Sequence, residues 1–352
     1  MSMVVEGSVR VNTDGVFYNP RMKTNRDICV AMASELGVNE YLDAFSASGI
    51  RGIRVRKEAG VERVVMNDIS PSACRRIREN LALNDISDCE VTCESASALM
   101  SRRRFEAIDL DPFGSPAQFL APAASSARSY LFITATDTAP LCGAHLKSGV
   151  RKYLAVPLNT EYHREMGVRI LMGAVIREMA RVDRRGIPLL SYATEHYVRV
   201  HMRIKKGARE ADEALESMGY VEHCFGCGGW SLRMGMGCRS SGTCSFCGGR
   251  TCTAGPLWLG PLHDKDLLRA SLKRLDPESR AHRLVLLCSE EIDVPFYYDH
   301  HKICRRLRIT PSKVEKVISD LLEHGYRASR THFNGVGIKT DAPMGDLISL
   351  LA

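Results

Sequence analysis

Apolar positions along this chain alternate between short runs and helical stripes. Runs at 41–45, 61–68, 90–93, 105–110 and 130–136 are bounded by turn residues and read as strands. The segments between them read as helices. Residues 50–59 open at Gly49. Residues 71–83 open at Ser70-Pro71, with Ser at the cap and Pro in the first turn. Residues 116–128 follow the fourth run, and a leading helix is predicted at 26–36 within the lead-in of residues 1–40. Val168, Leu171, Met172, Val175, Ile176 and Met179 recur at helical spacing and mark the apolar face of another helix, its Met residues serving as core filler. Residues 188–205 read as a strand pair that closes the sheet. Strands alternating with helices imply an α/β fold, a mostly parallel sheet covered on both faces.

After Gly219 the pattern breaks and Cys and Gly crowd together up to Gly255. With 352 residues, two domains are expected, 1–220 and 221–352, divided near Tyr220. Hydrophobic residues at 45% and charged residues at 25% suit a globular protein. No apolar run is long enough to cross a bilayer, and residues 1–12 lack a signal-peptide layout, so a cytoplasmic protein with no membrane partner is expected. Six of the 13 cysteines lie between Cys224 and Cys252. In a reducing compartment such clustering points to metal rather than disulfides. Cys224-x2-Cys227 and Cys244-x2-Cys247, sixteen residues apart, have the spacing of a structural four-thiolate zinc site within an insert at 224–252. Cys238 and Cys252 are spare, and either could replace a ligand. The insert could present Arg233, Arg239 and Arg250 to RNA, while the Gly-rich stretch between the pairs has no assignment.

Toward the end, 299–307 reads as a helix and Arg308-Ile309-Thr310 as a turn. Thr310-Pro311 would cap a second helix bearing Val314, Val317, Ile318, Leu321 and Leu322. Gly325 ends it, and 326–339 forms a wing, giving a winged-helix-like α+β region. The formal charge is +7, and 302–339 holds nine Lys or Arg against three Asp or Glu. Lys302, Arg305, Arg306, Arg308, Lys313, Lys316, Arg327, Arg330 and Lys339 are therefore candidates for phosphate contacts. The alternatives are a solvated basic face and a protein-interaction module.

In an open α/β sheet, ligands bind beyond the carboxyl ends of the strands. The first strand is followed by Asp43-Ala-Phe-Ser-Ala-Ser-Gly49-Ile-Arg51-Gly52, whose small residues let backbone approach a ligand. It is not Gly-x-Gly-x-x-Gly, which disfavours a nicotinamide dehydrogenase, and its spacing resembles the first motif of class I methyltransferases. Asp68, after the second strand, could accept the ribose hydroxyls of a nucleoside cofactor or cap the helix at Ser70-Pro71. Ser95 and Ala96 lie where an adenine would sit. Arg26 and Arg51 could fork a cofactor carboxylate or be surface arginines. The fourth strand ends in Asp109-Leu-Asp111-Pro112-Phe113-Gly114. The exocyclic amine of a nucleobase is a poor nucleophile because its lone pair is shared with the ring. It needs acceptors that hold its hydrogens. The Asp111 carboxylate and the Pro112 carbonyl supply two, Asp111 can take the released proton, and Phe113 offers a face for a base flipped from its stack. The alternative is an Asp-Pro turn with Phe113 in the core. Asp109 alternates to the other face and is read as structural.

These stretches together resemble the archaeal and eukaryotic tRNA (guanine-26-N2)-dimethyltransferase family, class I enzymes dependent on S-adenosylmethionine. The likeness covers nearly the whole chain. It is carried by Phe17-Tyr-Asn-Pro-Arg-Met-Lys-Thr-Asn25-Arg26-Asp27, the Asp43 loop, Asn67-Asp68-Ile-Ser-Pro and Asp109-Leu-Asp-Pro-Phe-Gly-Ser-Pro116. Thr134-Ala-Thr-Asp-Thr-Ala-Pro-Leu-Cys-Gly143, Gly255-Pro-Leu-Trp-Leu-Gly-Pro261 and Arg330-Thr-His-Phe333 follow in order. The resemblance implies one or two methyl transfers to the guanine N2 of tRNA. It implies cofactor contacts at Arg26, Arg51, Asp68, Ser95 and Ala96, catalysis at Asp111, and zinc at the two Cys pairs. The family often has Asp-Ala where this chain has Ser95-Ala96, so a contact there would use the hydroxyl or the backbone. A Rossmann-like methyltransferase sheet is expected, in a monomer that takes tRNA as partner. Competing readings are the same chemistry on ribosomal RNA, amine methylation of DNA, and a non-catalytic zinc protein that binds RNA.

Overall fold

The computed structural model describes residues 2–237 and 240–351. Its lead-in contains a hairpin that the sequence pattern did not announce, β1 (Met3–Glu6) and β2 (Val9–Asn12). Met3 and Val5 face solvent while Val9 and Val11 are buried. Helix α1 (Lys23–Glu35) follows, then β3 (Glu40–Asp43), α2 (Ile50–Glu58), β4 (Arg63–Asp68), α3 (Pro71–Leu83) and β5 (Glu90–Cys93). A short α4 (Ala96–Arg102) precedes β6 (Phe105–Leu110). The helix expected at 116–128 is shorter. A 3-10 turn at Ala117–Phe119 leads into α5 (Leu120–Ser126), and Arg128 already belongs to β7 (Ala127–Ala135). After α6 (Thr138–Leu141) and α7 (Leu146–Tyr153), α8 (His163–Ala180) carries the apolar stripe foreseen from 168 to 179. It is buried nearly all round, because β8 packs on one side of it and a second sheet on the other. The strand pair is β8 (Arg184–Thr194) with β9 (Tyr197–Lys206).

Seven strands form one mixed sheet in the order β5-β4-β3-β6-β7-β9-β8. The first five are parallel, and β9 and β8 pair antiparallel. Alternate residues feed two cores. Tyr41, Val64, Met66 and Ala107 pack under α1, α2 and α3, while Leu42, Val65 and Ile108 pack under α4, α5 and α8. Both faces are covered, which is why these strands read as continuous apolar runs. The strand order reverses at the β3–β6 boundary, so the two crossovers diverge there and leave a crevice.

Helix α9 (Ala208–Glu216) leads to β10 (Met218–His223), which contains residue 220. It is the centre of an antiparallel sheet with β11 (Trp230–Met234) and β12 (Cys252–Trp258). The larger core runs without a break through Met218, Val221, Leu257, Phe296 and Phe333. Helices α10 (Lys265–Ser271) and α11 (Arg280–Glu290) fold back onto α1. β13 (Tyr298–Asp299), α12 (His300–Leu307), α13 (Val314–Glu323), β14 (Ala328–Thr331), β15 (Asn334–Thr340) and α14 (Met344–Leu351) complete the chain, with sheet order β13-β15-β14. The Asp299 carboxylate caps α12 by accepting from Lys302 N at 3.1 Å. Thr310-Pro311 does not cap α13. Its first turn follows Lys313 without a side-chain cap, and the preceding turn is held by His300, whose Nε2 lies 3.0 Å from the Ser312 carbonyl.

Candidate functional site

The crevice at the β3–β6 boundary is a cavity of about 320 Å³. Its walls include Arg26, Arg51, Asp68, Ser95, Ala96, Asp111, Pro112 and Phe113. Every residue proposed from sequence for cofactor or chemistry therefore lines one space.

The floor is built by the loop after β3. Gly49 has φ of 79° and opens α2, a conformation that favours glycine. At Gly52, a Cβ would lie 2.5 Å from Met66 Cγ, so only glycine lets α2 sit this close to β4. Its N–H donates to Asp43 Oδ2 at 3.2 Å. Ala47 is also left-handed, with φ of 48°, and its N–H donates to Asp68 Oδ2 at 2.9 Å. Asp68 Oδ1 accepts from Ser70 N at 2.9 Å. Asp68 thus supports the helix start and the loop together, and each oxygen keeps a lone pair for a ligand. Asn67, unremarked in its role by sequence reasoning, donates to the carbonyls of Ala44 (3.2 Å) and Glu94 (3.1 Å) and aligns three strand ends.

Beneath the reacting end lies a buried charge cluster. Arg199 donates to both Asp109 oxygens, at 2.8 and 2.5 Å, and Tyr41 Oη donates to Asp109 at 2.6 Å. Burial alone would raise the Asp109 carboxyl, but Arg199 and Arg51 hold it well below the usual range. Asp109 is fully buried in this cluster, but the parity expected for it is corrected: it lies two residues from Asp111, shares its side of the strand, and Arg51 reaches both. Arg51 donates to Asn25 Oδ1 at 2.8 Å and through its other terminal nitrogen to Asp111. Burial works against its charge, yet Asp109 and Asp111 keep Arg51 firmly protonated. Nearby, burial pushes Asp43 up to about 7, with Arg51 opposing and Asp109 reinforcing the shift.

Arg26 lines the cavity, but its guanidinium is forked onto Glu6 at 2.7 and 2.6 Å, with a further bond to the Asn19 carbonyl at 3.2 Å. Glu6 also accepts from Arg54 at 2.8 Å. Burial would raise Glu6, but the two arginines bring it down to about 2. Glu6 went unnoticed in the sequence because its strand is four residues long and far from any motif.

Phe113 is not in the core. It is 75% exposed, and its ring meets that of Phe17 (53% exposed) edge to face, centroids 4.5 Å apart. Phe45 and Phe119 make a second edge-to-face pair on the wall, at 4.7 Å. The turn bearing Phe113 is pinned by Gly114 N donating to Thr136 Oγ1 and Thr136 N donating to the Gly114 carbonyl, both at 2.9 Å.

The two cysteine pairs converge. Cys224, Cys227, Cys244 and Cys247 place their sulfurs within 4.8 Å of one another, with Cys224–Cys247 and Cys227–Cys244 each at 3.6 Å. Both pairs share the pattern Cys-x2-Cys-Gly-Gly, a repeat that would have explained part of the glycine excess. In each, the first Cys N–H donates to the second Gly carbonyl (2.9 and 2.7 Å), and the first Gly N–H donates back to that Cys carbonyl (2.8 and 3.0 Å). Burial raises the Cys227 thiol to about 12, whereas knuckle amides and neighbouring thiols overcome burial at Cys224 and bring it to about 7. Cys252 is exposed at the start of β12, outside this group. Cys238 and Arg239 lie outside the described residues.

The basic candidates divide. Lys339 is a correction. It is buried, with Nζ donating to Glu165 at 3.0 Å and to the Val294 carbonyl at 3.2 Å, and cannot reach phosphate. Arg306 ties Glu161 (2.6 Å) to the Cys227 carbonyl (3.1 Å), Arg327 pairs with Asp341, and Arg330 with Glu315. In the insert, Arg233 pairs with Glu222 at 3.0 Å, while Arg250 is exposed. Lys302, Arg305, Arg308, Lys313 and Lys316 are exposed and form no ion pair among the described residues.

A model of the family described as "N2,N2-dimethylguanosine tRNA methyltransferase" matches residues 2–352. The chain belongs to this family. Among curated relatives, a tRNA (guanine(26)-N(2))-dimethyltransferase of Methanosarcina mazei is 43% identical over 354 aligned positions, covering 96% of this chain and 91% of that protein. The Methanoculleus marisnigri protein of the same name is 47% identical, covering 94% and 89%. The solved complex of Trm1 from Pyrococcus horikoshii with S-adenosyl-L-methionine superposes with a TM-score of 0.93 at 40% identity, covering 100% of both chains. The family member described here thus has the α/β methyltransferase fold over its whole sheet. No helix among the described residues is long and apolar enough to cross a membrane.

Proposed function

We infer that this chain transfers methyl groups from S-adenosylmethionine to the N2 amine of guanine 26 in tRNA. The observation that carries the reading is the single cavity joining the Asp68 and Ser95 strand ends to Asp111-Pro112-Phe113, in a chain of this family. S-adenosylmethionine supplies an electrophilic methyl on sulfonium. Asp68 accepts its ribose hydroxyls, and Ser95 and Ala96 border its adenine. Arg51 and Arg26 face its carboxylate end. Arg26 is already forked onto Glu6, so Arg51, with one terminal nitrogen shared between Asn25 and Asp109, is the more adaptable of the two.

Asp111 and the Pro112 carbonyl accept from the guanine amine and localise its lone pair. The amine nitrogen bonds to the methyl carbon as the carbon–sulfur bond breaks, and the amine proton passes to Asp111. Arg51 donates to the Asp111 carboxylate and orients it before that step. Phe113 stacks the flipped base.

The remaining parts divide by role. Residues 1–220 do the chemistry, and 221–352 hold a structural zinc and bind tRNA as a monomer in the cytoplasm. A tetrahedron with Zn–S of about 2.3 Å has sulfurs about 3.8 Å apart, which the 3.6 Å pairs suit. Two helices with a β14–β15 wing support a winged-helix-like grip. The test is methyl transfer from labelled S-adenosylmethionine to unmodified tRNA transcripts, digested to nucleosides. N2-methyl- and N2,N2-dimethylguanosine, lost when guanine 26 is replaced, are expected. Label on ribosomal RNA or DNA instead would overturn the substrate.

A further inference from the structure

A second group of metal-type donors lies away from the methyl-transfer cavity and from the four cysteines. His263 follows β12, Cys288 and Glu291 lie three residues apart at the end of α11, and His332 sits in the turn between β14 and β15. One donor atom from each falls within 4.8 Å of the others. The side chains of His263, Glu291 and His332 are 2% exposed or less, and Cys288 is fully buried.

Buried polar atoms ordinarily have partners, and leaving one without is costly. Here both ring nitrogens of His263, Glu291 Oε2 and His332 Nε2 have no hydrogen-bond partner. The nearest approach of His263 Nε2 to Glu291 Oε2 is 3.9 Å, too long for a hydrogen bond. The other carboxylate oxygen, Oε1, is fully engaged. It accepts from His332 N at 2.5 Å and Thr331 Oγ1 at 3.2 Å, and His332 Nδ1 lies at 2.5 Å. With its Nδ1–H on that oxygen, His332 keeps a buried Nε2 lone pair that has no partner. This is how ligating imidazoles are usually oriented by a supporting carboxylate.

We propose that His263, Cys288, Glu291 and His332 form a second, buried zinc site that ties the wing hairpin to α11 and to the segment leaving β12. Two imidazoles, one thiolate and one carboxylate are a zinc donor set, and four ligands close the shell, so the site is structural. A water molecule could satisfy the histidines and the carboxylate, but it would not use the thiol. Lys339 pairs with Glu291 Oε2 at 3.5 Å while two of its three N–H groups donate to Glu165 and the Val294 carbonyl, so it offsets the carboxylate charge but satisfies neither histidine. The inference goes beyond methyl transfer and does not depend on it.

The full chain, purified after growth with zinc, is assayed for metal content and by X-ray absorption at the zinc edge. Two zinc ions per chain are expected, with five sulfur and three nitrogen or oxygen ligands shared between them. One zinc with an all-sulfur shell overturns the proposal and leaves the four-cysteine site standing. One zinc with a single sulfur supports the buried site and removes the four-cysteine one. A metal-free chain overturns it. The His263→Gln variant should fall to one all-sulfur zinc; if it keeps two, the ligand set is wrong.

Discussion

At the level of single residues, chemistry and electrostatics concentrate around Arg51. In the proposed mechanism Asp111→Ala removes the acceptor and proton sink, so turnover should fall by about 10²–10⁴-fold while tRNA affinity in a filter-binding assay stays near that of the parent. Activity surviving that change would reduce Asp111 to a turn residue. Asp43 and Glu6 should respond to pH in opposite senses. The folded carboxyl of Asp43 sits at about 7, above its ordinary 3.8, so its stabilising contribution is complete below 3.8 and fades as pH rises toward 7. Asp43→Asn should therefore gain in melting temperature relative to the parent across that window. Glu6 is held at about 2, below 4.5, so its contribution is complete above 4.5 and is lost as pH falls toward 2. A flat difference between parent and variant across these windows would contradict the assigned environments.

At the level of elements, the β1–β2 hairpin and the cysteine knuckles behave as clasps. Glu6→Gln leaves Arg26 and Arg54 buried beside a neutral group, a change worth about 3–5 kcal/mol when one partner of a buried pair is removed. Chemical denaturation should report it. Cys244→Ser should lower zinc content and melting temperature more than it lowers kcat, and a full metal load would defeat that ligand assignment. The elements legible from sequence were those with an apolar run or a clear start signal, such as β6 and α3, which opens at Pro71 although the Ser70 hydroxyl makes no capping bond. The first hairpin escaped because Met3 and Val5 point outward and its one critical side chain is acidic. Helices α4, α6, α7 and α9 escaped because they are short, between four and nine residues, less than the stretch over which helical spacing is read. The cavity walls were legible because they follow strand ends, a rule of topology rather than of contact. Phe17 and Thr136 meet that wall only through folding, although both lie in stretches carrying the family likeness. Lys339 was misread because charge counts along a chain say nothing about which lysine is buried by its partners.

Across the whole molecule, the proposed function gives the reaction to the sheet and the grip on tRNA to the later elements. Five exposed cations on and between α12 and α13 form no ion pair within the described chain. Replacing any one with Ala should weaken tRNA binding similarly for all tRNA sequences and reduce the salt slope of log K by about 1, with kcat unchanged at saturating tRNA. An unchanged slope would move the tRNA to another face. The paired aromatic rings at the cavity mouth have a different consequence. With centroids 4.5 Å apart, Phe17 and Phe113 leave no room for a third ring between them. An entering base can instead stack on an outer face of Phe113, which is 75% exposed, and leave the contact with Phe17 in place. Every base has a face to stack, so stacking favours no particular base. Discrimination of guanine is left to the amine acceptors behind the rings, so an adenine should be admitted to the mouth and rejected at the floor.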